Sequence, residues 1–342
     1  MIHMLKIEKK HSLTKYTTLK VSSTADYFAI VKNKNELLEA IAFARAKKQL
    51  IFILGGGSNV LLSKTIKGLV IKNEMQGIKV VEKNKSLVLV EASSGEIWSK
   101  FVSYTVENKF YGLENLFLIY GTVGAAPVQN IGAYGVELKD CFHHLSAIDL
   151  KTGNEKIFSA NDCRFGYRDS IFKNKLKGRY FIYSVTVALL RKPDFKLGYG
   201  SIGEALKLKG IKKPTAYDVI KTIEEIRNSK LPNPFILPNA GSFFKNPEVN
   251  LQTFKNLFVK YPDMPSFQIN RSKFKIPAGW LIEQAGLKGK KFGPVRMYEK
   301  QALILVNEGG ASSKQVLNLV AKVKLAVKKK FGLDLSEEVN II

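Results

Sequence analysis

Two short segments concentrate the side chains that could take part in chemistry. In residues 164–170, Arg168 precedes Asp169, and its forked guanidinium could hold a carboxylate with two hydrogen bonds. A structural ion pair between Arg168 and Asp169 is the alternative. In residues 239–247, Ser242 follows a glycine and precedes two phenylalanines. This hydroxyl is a candidate proton donor, or else it belongs to a tight turn.

Nucleophilic and metal-dependent hydrolysis match the sequence poorly. A serine nucleophile is typically found in a GxSxG turn and needs a histidine base. The residues around Ser242 do not fit that turn, and the histidines lie in unrelated contexts, at His3, His11, His143 and His144. HExxH, CxxC and dense acidic clusters are also missing from the sequence. We therefore expect neither a hydrolase nor a metal site.

Two glycine-rich segments are candidates for ligand binding through the backbone. The first follows an apolar strand and consists of Gly55, Gly56, Gly57, Ser58 and Asn59. Its glycines could turn backbone N–H groups toward a phosphate. It has neither the GK[ST] of a P-loop nor the helix that follows a dinucleotide fingerprint. An ordinary glycine turn is the alternative.

The second glycine-rich segment, residues 121–135, contains four glycines, three alanines and no charged residue. Side chains this small fill too little volume for an ordinary core element. The composition favours a backbone wrapped against a large flat ligand. A tightly packed interface of small residues is the alternative.

The elements that position these segments follow from hydrophobic spacing and turn residues. We expect a helix at 35–48 with Leu38, Ile41, Ala42 and Ala46 on its buried face, and then a buried strand at 50–54. Further strands are predicted at 68–71, 78–81, 86–90, 144–148 and 180–190, and further helices at 96–108 and 216–228. Ser312 and Gln315 predict a capped final helix that ends at Gly332. Without regular βα alternation, this order favours an α+β fold.

Composition limits the class of protein. At 342 residues with 45% hydrophobic and 24% charged residues, the chain predicts a globular protein of more than one domain. The first ten residues lack a signal-peptide core, and no apolar stretch reaches the ~18 residues of a membrane helix. The cysteines, Cys141 and Cys163, are too few for a disulfide framework. We expect a monomer in the cytoplasm, without membrane insertion and with two buried thiols.

The net charge of +25 comes mainly from lysine, and the arginines are scattered. Nucleic-acid surfaces favour arginine interleaved with aromatic residues. We therefore expect a solvated lysine-rich surface without a specific nucleic-acid partner. A smaller basic cleft for a phosphorylated ligand is compatible with this charge.

These segments, in this order, resemble the UDP-N-acetylenolpyruvoylglucosamine reductase family. The matching blocks span nearly the whole chain and are 54–62 (LGGGSNVLL), 112–116 (GLENL), 121–138, 163–172 (CRFGYRDSIF), 230–234 (KLPNP), 241–247 (GSFFKNP), 278–289, 301–307 and 338–339. CRFGYRDSIF and NAGSFFKNP are very specific. Tyr199, in residues 197–200, resembles the substrate-covering tyrosine of the subtype that has an extra loop.

The resemblance implies an α+β protein with an FAD-binding fold of the vanillyl-alcohol-oxidase and p-cresol methylhydroxylase type. An α+β substrate-binding domain would follow toward the carboxyl end. The implied division is 1–75 and 76–215 for two FAD-binding subdomains, 216–330 for the substrate domain and 331–342 for a tail that returns to the active site.

The resemblance also implies the cofactor, which is non-covalent FAD, with NADPH as the reducing co-substrate. The two glycine-rich loops would hold the pyrophosphate and the isoalloxazine of FAD. The implied contacts are Leu54, Gly55, Gly56, Gly57, Ser58, Asn59, Gly121, Thr122, Val123, Gly124, Ala125, Ala126, Gln129, Asn130, Gly132, Ala133, Tyr134, Gly135 and Arg227.

The implied reaction reduces UDP-N-acetylglucosamine enolpyruvate to UDP-N-acetylmuramate in the synthesis of peptidoglycan precursors. NADPH reduces the flavin, and flavin N5 then gives hydride to the enolpyruvyl alkene. Arg168 and Glu338, the latter protonated or sharing a proton, would stabilise an enol-like intermediate. Ser242 would protonate the neighbouring carbon as a general acid. The implied substrate contacts are Tyr167, Tyr199, Lys230, Asn246 and Gln301.

Some positions depart from the family pattern. Tyr120 replaces a proline, Tyr298 replaces a histidine, Asn340 stands where arginine is common, and the sequence ends at Ile342, a few residues early. Two other classes stay open. An oxidase with FAD attached through histidine would need a histidine beside a glycine-rich loop, where none occurs. A binding protein without turnover would not need intact Arg168, Ser242 and Glu338.

Overall fold

The computed structural model describes residues 5–199 and 201–342. Gly200, which belongs to the predicted Tyr199 motif, lies outside the described residues. So does the start of the amino-terminal segment, Met1, Ile2, His3 and Met4.

The bounds of the helices are α1 (Lys34–Ala46), α2 (Trp98–Glu107), α3 (Ala160–Cys163), α4 (Ile202–Leu208), α5 (Ala216–Lys230), α6 (Leu251–Lys260), α7 (Ala278–Gln284) and α8 (Ser313–Phe331). Several of these helices begin at a side-chain cap, among them Asn33 for α1, Ser159 for α3, Asn250 for α6 and Ser312 for α8. The capping box of Ser312 and Gln315 at the start of α8 is confirmed, and Gly332 closes α8 with φ +71°. The apolar residues Val316, Leu319, Val323 and Val327, which recur at helical spacing along α8, are buried.

The predicted strands are present, and all of them except the one at 180–190 have ends that differ from the prediction. The strands of the structure are β1 (Ile7–Ser12), β2 (Thr24–Val31), β3 (Ile51–Leu54), β4 (Val60–Leu61), β5 (Thr65–Asn73), β6 (Ile78–Lys83), β7 (Leu87–Ser93), β8 (Gly132–Ala133), β9 (Val136–Glu137), β10 (Phe142–Asp149), β11 (Glu155–Ser159), β12 (Tyr180–Leu190), β13 (Asn239–Ser242), β14 (Glu248–Asn250), β15 (Phe267–Asn270), β16 (Lys273–Lys275), β17 (Lys291–Phe292), β18 (Val295–Met297), β19 (Ile304–Asn307) and β20 (Asn340–Ile341). Asn84 lies in the turn between β6 and β7, where its Oδ1 accepts hydrogen bonds from the N–H groups of Ser86 and Leu87.

The predicted buried face of α1 was partly wrong. The structure buries Leu37, Ala40, Ile41 and Ala44, so Ile41 was predicted correctly, whereas Leu38 is 37% exposed. Both sets fit a helical period and share Ile41, so periodicity alone could not choose between them. The prediction of a buried strand at 50–54 was also partly wrong. Leu50 is 70% exposed and lies outside β3, whose one fully buried residue is Leu54.

The described chain divides into two units. The first contains 5–11, Ala25–Gly56 and Ile66–Ser229, and the second contains Ser12–Thr24, Gly57–Thr65 and Lys230–Ile342. The division at residues 75, 215 and 330 stays a prediction.

The first unit contains a four-stranded sheet of order β1-β2-β5-β3 and a five-stranded sheet of order β11-β10-β12-β7-β6. Strands β3 and β5 run parallel, and the five-stranded sheet is antiparallel throughout. One core packs α1 with β2 and β5, and another packs α2 against β7, β10 and β12. Cys141 and Cys163 are free and buried, as predicted, and burial raises the pKa of each thiol to about 12.

The second unit contains an antiparallel sheet of order β13-β19-β18-β17 and a smaller one of order β14-β16-β15. Helices α7 and α8 pack their apolar residues with β18, β19 and the residues after β13 in one core. Strand β20 pairs in parallel with β4. Among the described residues of both units, no helix combines the length and the apolar composition needed to cross a membrane.

Candidate active site

The first glycine-rich segment follows β3 and packs against the second one. A β-carbon added to Gly55 would lie 2.5 Å from Oγ1 of Thr122, and one added to Gly56 would lie 2.8 Å from Cα of Gly121. Real side chains do not tolerate such distances, so both positions require glycine for packing. Two of the predicted FAD-binding segments therefore meet within the first unit.

Gly57 belongs to the second unit and has a different requirement. Its φ is +64°, and a β-carbon there would lie 2.0 Å from the carbonyl oxygen of Tyr16. The Gly57 carbonyl accepts the N–H of Thr18 at 3.0 Å, and the Thr18 hydroxyl donates to the carbonyl of Asn239 at 2.6 Å. The turn is thus fixed by the residues 16–18, which the sequence alone did not mark.

The second glycine-rich segment includes left-handed backbone at residues other than glycine. Asn130 has φ 45° and Tyr134 has φ 49°, and conformations of this kind cost on the order of 1 kcal/mol each. The buried Asn130 side chain offsets part of this cost. Its Oδ1 accepts the N–H of Lys139 at 3.0 Å, and its Nδ2 donates to Glu137 Oε2 at 3.0 Å. The segment is therefore held in one conformation by its own polar side chains.

Side chains also join the segment 164–170 to the second glycine-rich segment. The hydrogen bonds run from Asn130 Nδ2 to the Gly166 carbonyl at 3.0 Å, from Ser170 Oγ to the Val128 carbonyl at 2.6 Å and from Arg168 Nη2 to the Gly132 carbonyl. The structure thereby brings predicted Arg168 and the predicted flavin loop together.

Arg168 itself has a left-handed backbone, with φ 52°. Its guanidinium carbon lies 5.4 Å from the centre of the Tyr167 ring, within the range of a cation–π contact. The neighbouring Asp169 carboxylate accepts hydrogen bonds from Asn174, at 3.0 Å to each oxygen. Tyr167 and Asn174 therefore flank the two charged groups of this segment.

In the second unit, a register shift sets the position of Ser242. Strand β13 pairs with β19 at Asn239 and again at Ser242, with an irregularity between them. Gly241 has φ +71°, which glycine adopts without strain and which such an irregularity requires. Ser242 is half-buried, and the two phenylalanines that follow are fully buried in the core. The glycine before the predicted acid therefore has a backbone role.

The residues after Ser242 pair with the carboxy-terminal segment of the same unit. The N–H of Glu338 donates to the Phe243 carbonyl at 2.8 Å, and the N–H of Lys245 donates to the Ser336 carbonyl at 2.8 Å. Glu338 thus lies opposite the residue that follows Ser242. Two of the three predicted catalytic residues are held on paired segments.

The end of the chain is fixed by strand β4 and the turn before it. The backbone N–H of Asn340 donates to the Asn59 carbonyl at 3.0 Å, and Asn340 Nδ2 donates to the same oxygen at 3.1 Å. The Ile342 carbonyl accepts the N–H of Ser63 at 2.6 Å. Asn340, which stands where arginine is common, therefore has a structural role next to Glu338.

Asn246 and Gln301 both contact the beginning of α7. Asn246 Oδ1 accepts the N–H of Ala278 at 2.9 Å, and Gln301 Oε1 would lie 2.7 Å from a β-carbon on Gly279. The structure thus brings these two predicted substrate contacts together. Lys230 is exposed at the end of α5.

Comparisons with known proteins decide the family. The C-terminal domain model of UDP-N-acetylenolpyruvoylglucosamine reductase matches residues 233–342, and an FAD-binding domain model matches residues 25–160. The UDP-N-acetylenolpyruvoylglucosamine reductase of Flavobacterium johnsoniae is 42% identical over 99% of this chain and 100% of its own. That of Pseudomonas aeruginosa is 43% identical over 98% of this chain and 99% of its own.

The chain belongs to the UDP-N-acetylenolpyruvoylglucosamine reductase family. It also shares its fold with the crystal structure of UDP-N-acetylenolpyruvylglucosamine reductase from Thermus caldophilus, with a TM-score of 0.66 at 22% identity over 99% of both chains. The predicted fold class, the oxidoreductase class and FAD as the cofactor are confirmed by these matches.

Atoms of the chain fit the cofactor of this reductase family. Thr122 Oγ1 and Arg227 Nε are buried and lack a hydrogen-bond partner within the described part of the chain. Burial lowers the pKa of the Arg227 guanidinium, and the phenols of Tyr134 and Tyr120 partly oppose that shift. Buried polar groups are normally hydrogen-bonded, and a polar ligand such as this cofactor would satisfy these two. Tyr120, which replaces a proline of the reductase pattern, lies close enough to Arg227 to raise the pKa of its guanidinium.

Sequence reasoning missed residues of the first unit that hold the glycine-rich loops. Lys72 Nζ donates to the Gly55 carbonyl at 2.7 Å, and burial lowers the pKa of this lysine. A β-carbon on Gly124 would lie 2.4 Å from Cβ of the buried Ser94. A lysine directly after the apolar run 69–71 of β5 was a signal that the sequence offered. The burial of Ser94 left no such signal.

We expect Gly56→Ala to lose FAD. The added methyl group would meet the backbone of Gly121 at 2.8 Å, so the two glycine-rich loops must move apart. Gly198→Ala is the matched control, because nothing lies within 4 Å of a β-carbon there. Flavin absorbance per mole of purified protein measures the effect. An FAD content equal to that of the unsubstituted protein would show that the contact between the loops is dispensable.

We expect the buried carboxyl of Glu114 to make the stability of the folded protein depend on pH. Its side chain is buried, Oε2 accepts the N–H of Gly112 at 2.9 Å, and burial raises the pKa of the carboxyl. A raised pKa means that the folded state holds the proton more tightly, so stability falls as the pH rises through that pKa. Glu114→Gln imitates the protonated form. Its Tm should match that of the unsubstituted protein at about pH 4 and exceed it once the pH has risen above the pKa of an unperturbed glutamate.

Circular dichroism melts across this range measure the Tm difference. The control is Glu107→Gln, since Glu107 is an exposed glutamate of the same unit. A Tm difference for Glu114→Gln that does not change with pH would contradict the assignment.

Proposed function

We propose that this chain catalyses the NADPH-dependent reduction of UDP-N-acetylglucosamine enolpyruvate to UDP-N-acetylmuramate. The observation that carries the proposal is the pairing of residues 242–245 with 336–338, which holds a hydroxyl and a carboxyl on adjoining segments. Family membership supports the same reaction.

FAD would be held by the two glycine-rich loops, from Leu54 to Asn59 and from Gly121 to Gly135, together with Arg227. When bound, FAD supplies the carrier that accepts hydride from NADPH and passes it to the terminal alkene carbon of the substrate. The unsatisfied Thr122 hydroxyl and the buried Arg227 guanidinium would donate hydrogen bonds to the cofactor. Lys72 would act indirectly, by fixing the carbonyl of Gly55.

Ser242 would supply the proton for the carbon beside the one that receives hydride. A half-buried hydroxyl at a fixed backbone irregularity can be aimed at one face of a substrate, as general acid catalysis requires. Glu338, fixed by Phe243 and Asn59, would share a proton with the developing enol. Solvent would then return the proton that Ser242 has given.

Arg168 would bind the enolpyruvyl carboxylate. A guanidinium has several N–H donors in one plane, so it can hold the Gly132 carbonyl and still face a second acceptor. Charge accumulates on the carboxylate as the alkene is reduced, so this contact would strengthen in the transition state.

The remaining predicted contacts would hold the sugar nucleotide. Lys230 would match the diphosphate as a point charge, and Tyr167 and Tyr199 would offer aromatic faces and hydroxyls. Asn246 and Gln301 would donate their amide N–H groups, since each uses its side-chain oxygen within the protein. The proposal includes a monomer in the cytoplasm without a specific nucleic-acid partner.

Anaerobic spectroscopy of the purified holoenzyme tests the reaction. NADPH should bleach the flavin absorbance, and UDP-N-acetylglucosamine enolpyruvate should restore it without oxygen. A flavin that NADPH bleaches but the enolpyruvyl substrate leaves reduced would disprove the assigned substrate while sparing the FAD site.

A further inference from the structure

Asn115 is a buried side chain of the first unit that connects two segments far apart in sequence. It lies in the short 3-10 helix Glu114–Leu116 and is 3% exposed. Its Nδ2 donates to the carbonyl of Tyr134 at 2.9 Å and to the carbonyl of Lys196 at 2.8 Å. Both partners can only accept hydrogen bonds, so the amide nitrogen must face them. Both of its N–H groups are therefore used.

The Lys196 carbonyl belongs to the stretch of chain that leads from β12 to Tyr199. Two neighbours pack this stretch on either side of Lys196, because Phe195 and Leu197 join a small apolar cluster with Tyr134. The Phe195 ring also meets the Tyr111 ring edge-on, with centroids 6.0 Å apart. These contacts hold the stretch laterally, whereas Asn115 fixes its backbone.

The other partner of Asn115 lies next to the glycine that Tyr199 covers. A β-carbon on Gly135 would lie 3.2 Å from Cβ and 3.4 Å from Cγ of Tyr199. Tyr199 therefore packs directly on the residue after Tyr134. One asparagine thus binds the backbone on both sides of the Tyr199–Gly135 contact.

We propose that Asn115 is a positioning residue for Tyr199, acting in substrate binding through the two carbonyl groups that it holds. The inference rests on the proposed function, in which Tyr199 contacts the sugar nucleotide. Asn115 touches neither cofactor nor substrate in this role. It fixes the distance between the flavin loop and the tyrosine that closes over the substrate.

The test uses oxidised holoenzyme and isothermal titration with UDP-N-acetylglucosamine enolpyruvate, so that no turnover occurs. Asn115→Leu keeps the approximate size of the side chain and removes both hydrogen bonds. We expect the Kd for the substrate to rise about tenfold, because part of the binding free energy must then order the stretch of chain that the two hydrogen bonds held in place. If the leucine variant does not fold, Asn115→Ser replaces it, because serine is polar but too short to make the same two hydrogen bonds. Val185→Ala, in the core of the same unit, controls for lost stability and should leave the Kd unchanged.

A double-mutant cycle with Tyr199→Ala decides whether Asn115 acts through Tyr199. If it does, Asn115→Leu should weaken binding by less than about twofold when Tyr199 is already alanine. An equal loss in both backgrounds would overturn the inference. The inference would also be overturned if Asn115→Leu kept a normal Kd for the substrate but changed the flavin spectrum, because Asn115 would then support Tyr134 alone. If Tyr199→Ala itself leaves the Kd unchanged, the proposed role of Tyr199 fails and the inference fails with it.

Discussion

Replacing Ser242 by alanine should leave the reduction of FAD by NADPH close to its normal rate and slow reoxidation by the enolpyruvyl substrate at least ~10²-fold. The lower limit is that of a positioned general acid. The two half-reactions separate because the proton is needed only when the alkene is reduced. Stopped-flow absorbance of the flavin follows each half-reaction by itself.

The local structure allows this substitution to remove the hydroxyl without changing the backbone. Alanine fits the extended strand at residue 242, and the left-handed conformation is carried by Gly241, which is unchanged. Ser266→Ala is the matched control, because Ser266 is another half-buried serine of the second unit. If both half-reactions of Ser242→Ala fall together, Ser242 supports the flavin site. If both survive, the hydroxyl has no chemical role.

Elements with strong local signals could be predicted from the sequence. Helix α8 was predicted at both ends, because a capping box starts it and a left-handed glycine closes it. Strand β12 was predicted residue for residue, since its apolar side chains are bounded by clear breaks. The buried face of α1 was predicted only at Ile41, because two overlapping sets of residues fit a helical period and only packing selects between them.

The candidate site was predictable in its residues but not in its contacts. The motifs around Arg168 and Ser242 can be recognised in the sequence by their composition and by family resemblance. The contacts that hold the rest of the candidate site join residues that are distant in sequence. Thr18 binds Gly57, Asn340 binds Asn59, and Asn115 binds Lys196, in each case through a backbone carbonyl. Every residue has a backbone carbonyl, so no sequence pattern predicts which carbonyl will accept the hydrogen bond.

The contacts of the glycine-rich loops could not be predicted from sequence either, so ligand binding and close packing both remained as interpretations. Gly55, Gly56 and Gly57 each lack room for a β-carbon, because atoms of neighbouring residues would lie within 2.8 Å of it. Tight packing and cofactor binding are therefore not alternatives here. Close packing of one loop on another produces the narrow backbone surface that a cofactor would contact.

Arg168→Lys should reduce the rate of flavin reoxidation by the enolpyruvyl substrate about 10²- to 10³-fold, the range for removing one well-placed donor to a developing negative charge. Lysine keeps the charge but loses the planar fork, so it cannot bind the Gly132 carbonyl and a substrate carboxylate with one rigid group. Reduction by NADPH should stay near normal, because the carboxylate belongs to the second substrate.

Arg164→Lys is the matched control for this variant. Arg164 belongs to the same segment and has the same left-handed backbone, with φ 48° against 52° for Arg168. It is exposed, whereas Arg168 is half-buried. Both substitutions therefore impose the same change of side chain on the same backbone conformation. If Arg164→Lys slows reoxidation as much as Arg168→Lys, the loss comes from the segment and not from a carboxylate contact. If only Arg168→Lys does so, and a higher concentration of substrate fails to restore the rate, the guanidinium stabilises the transition state in addition to binding the substrate.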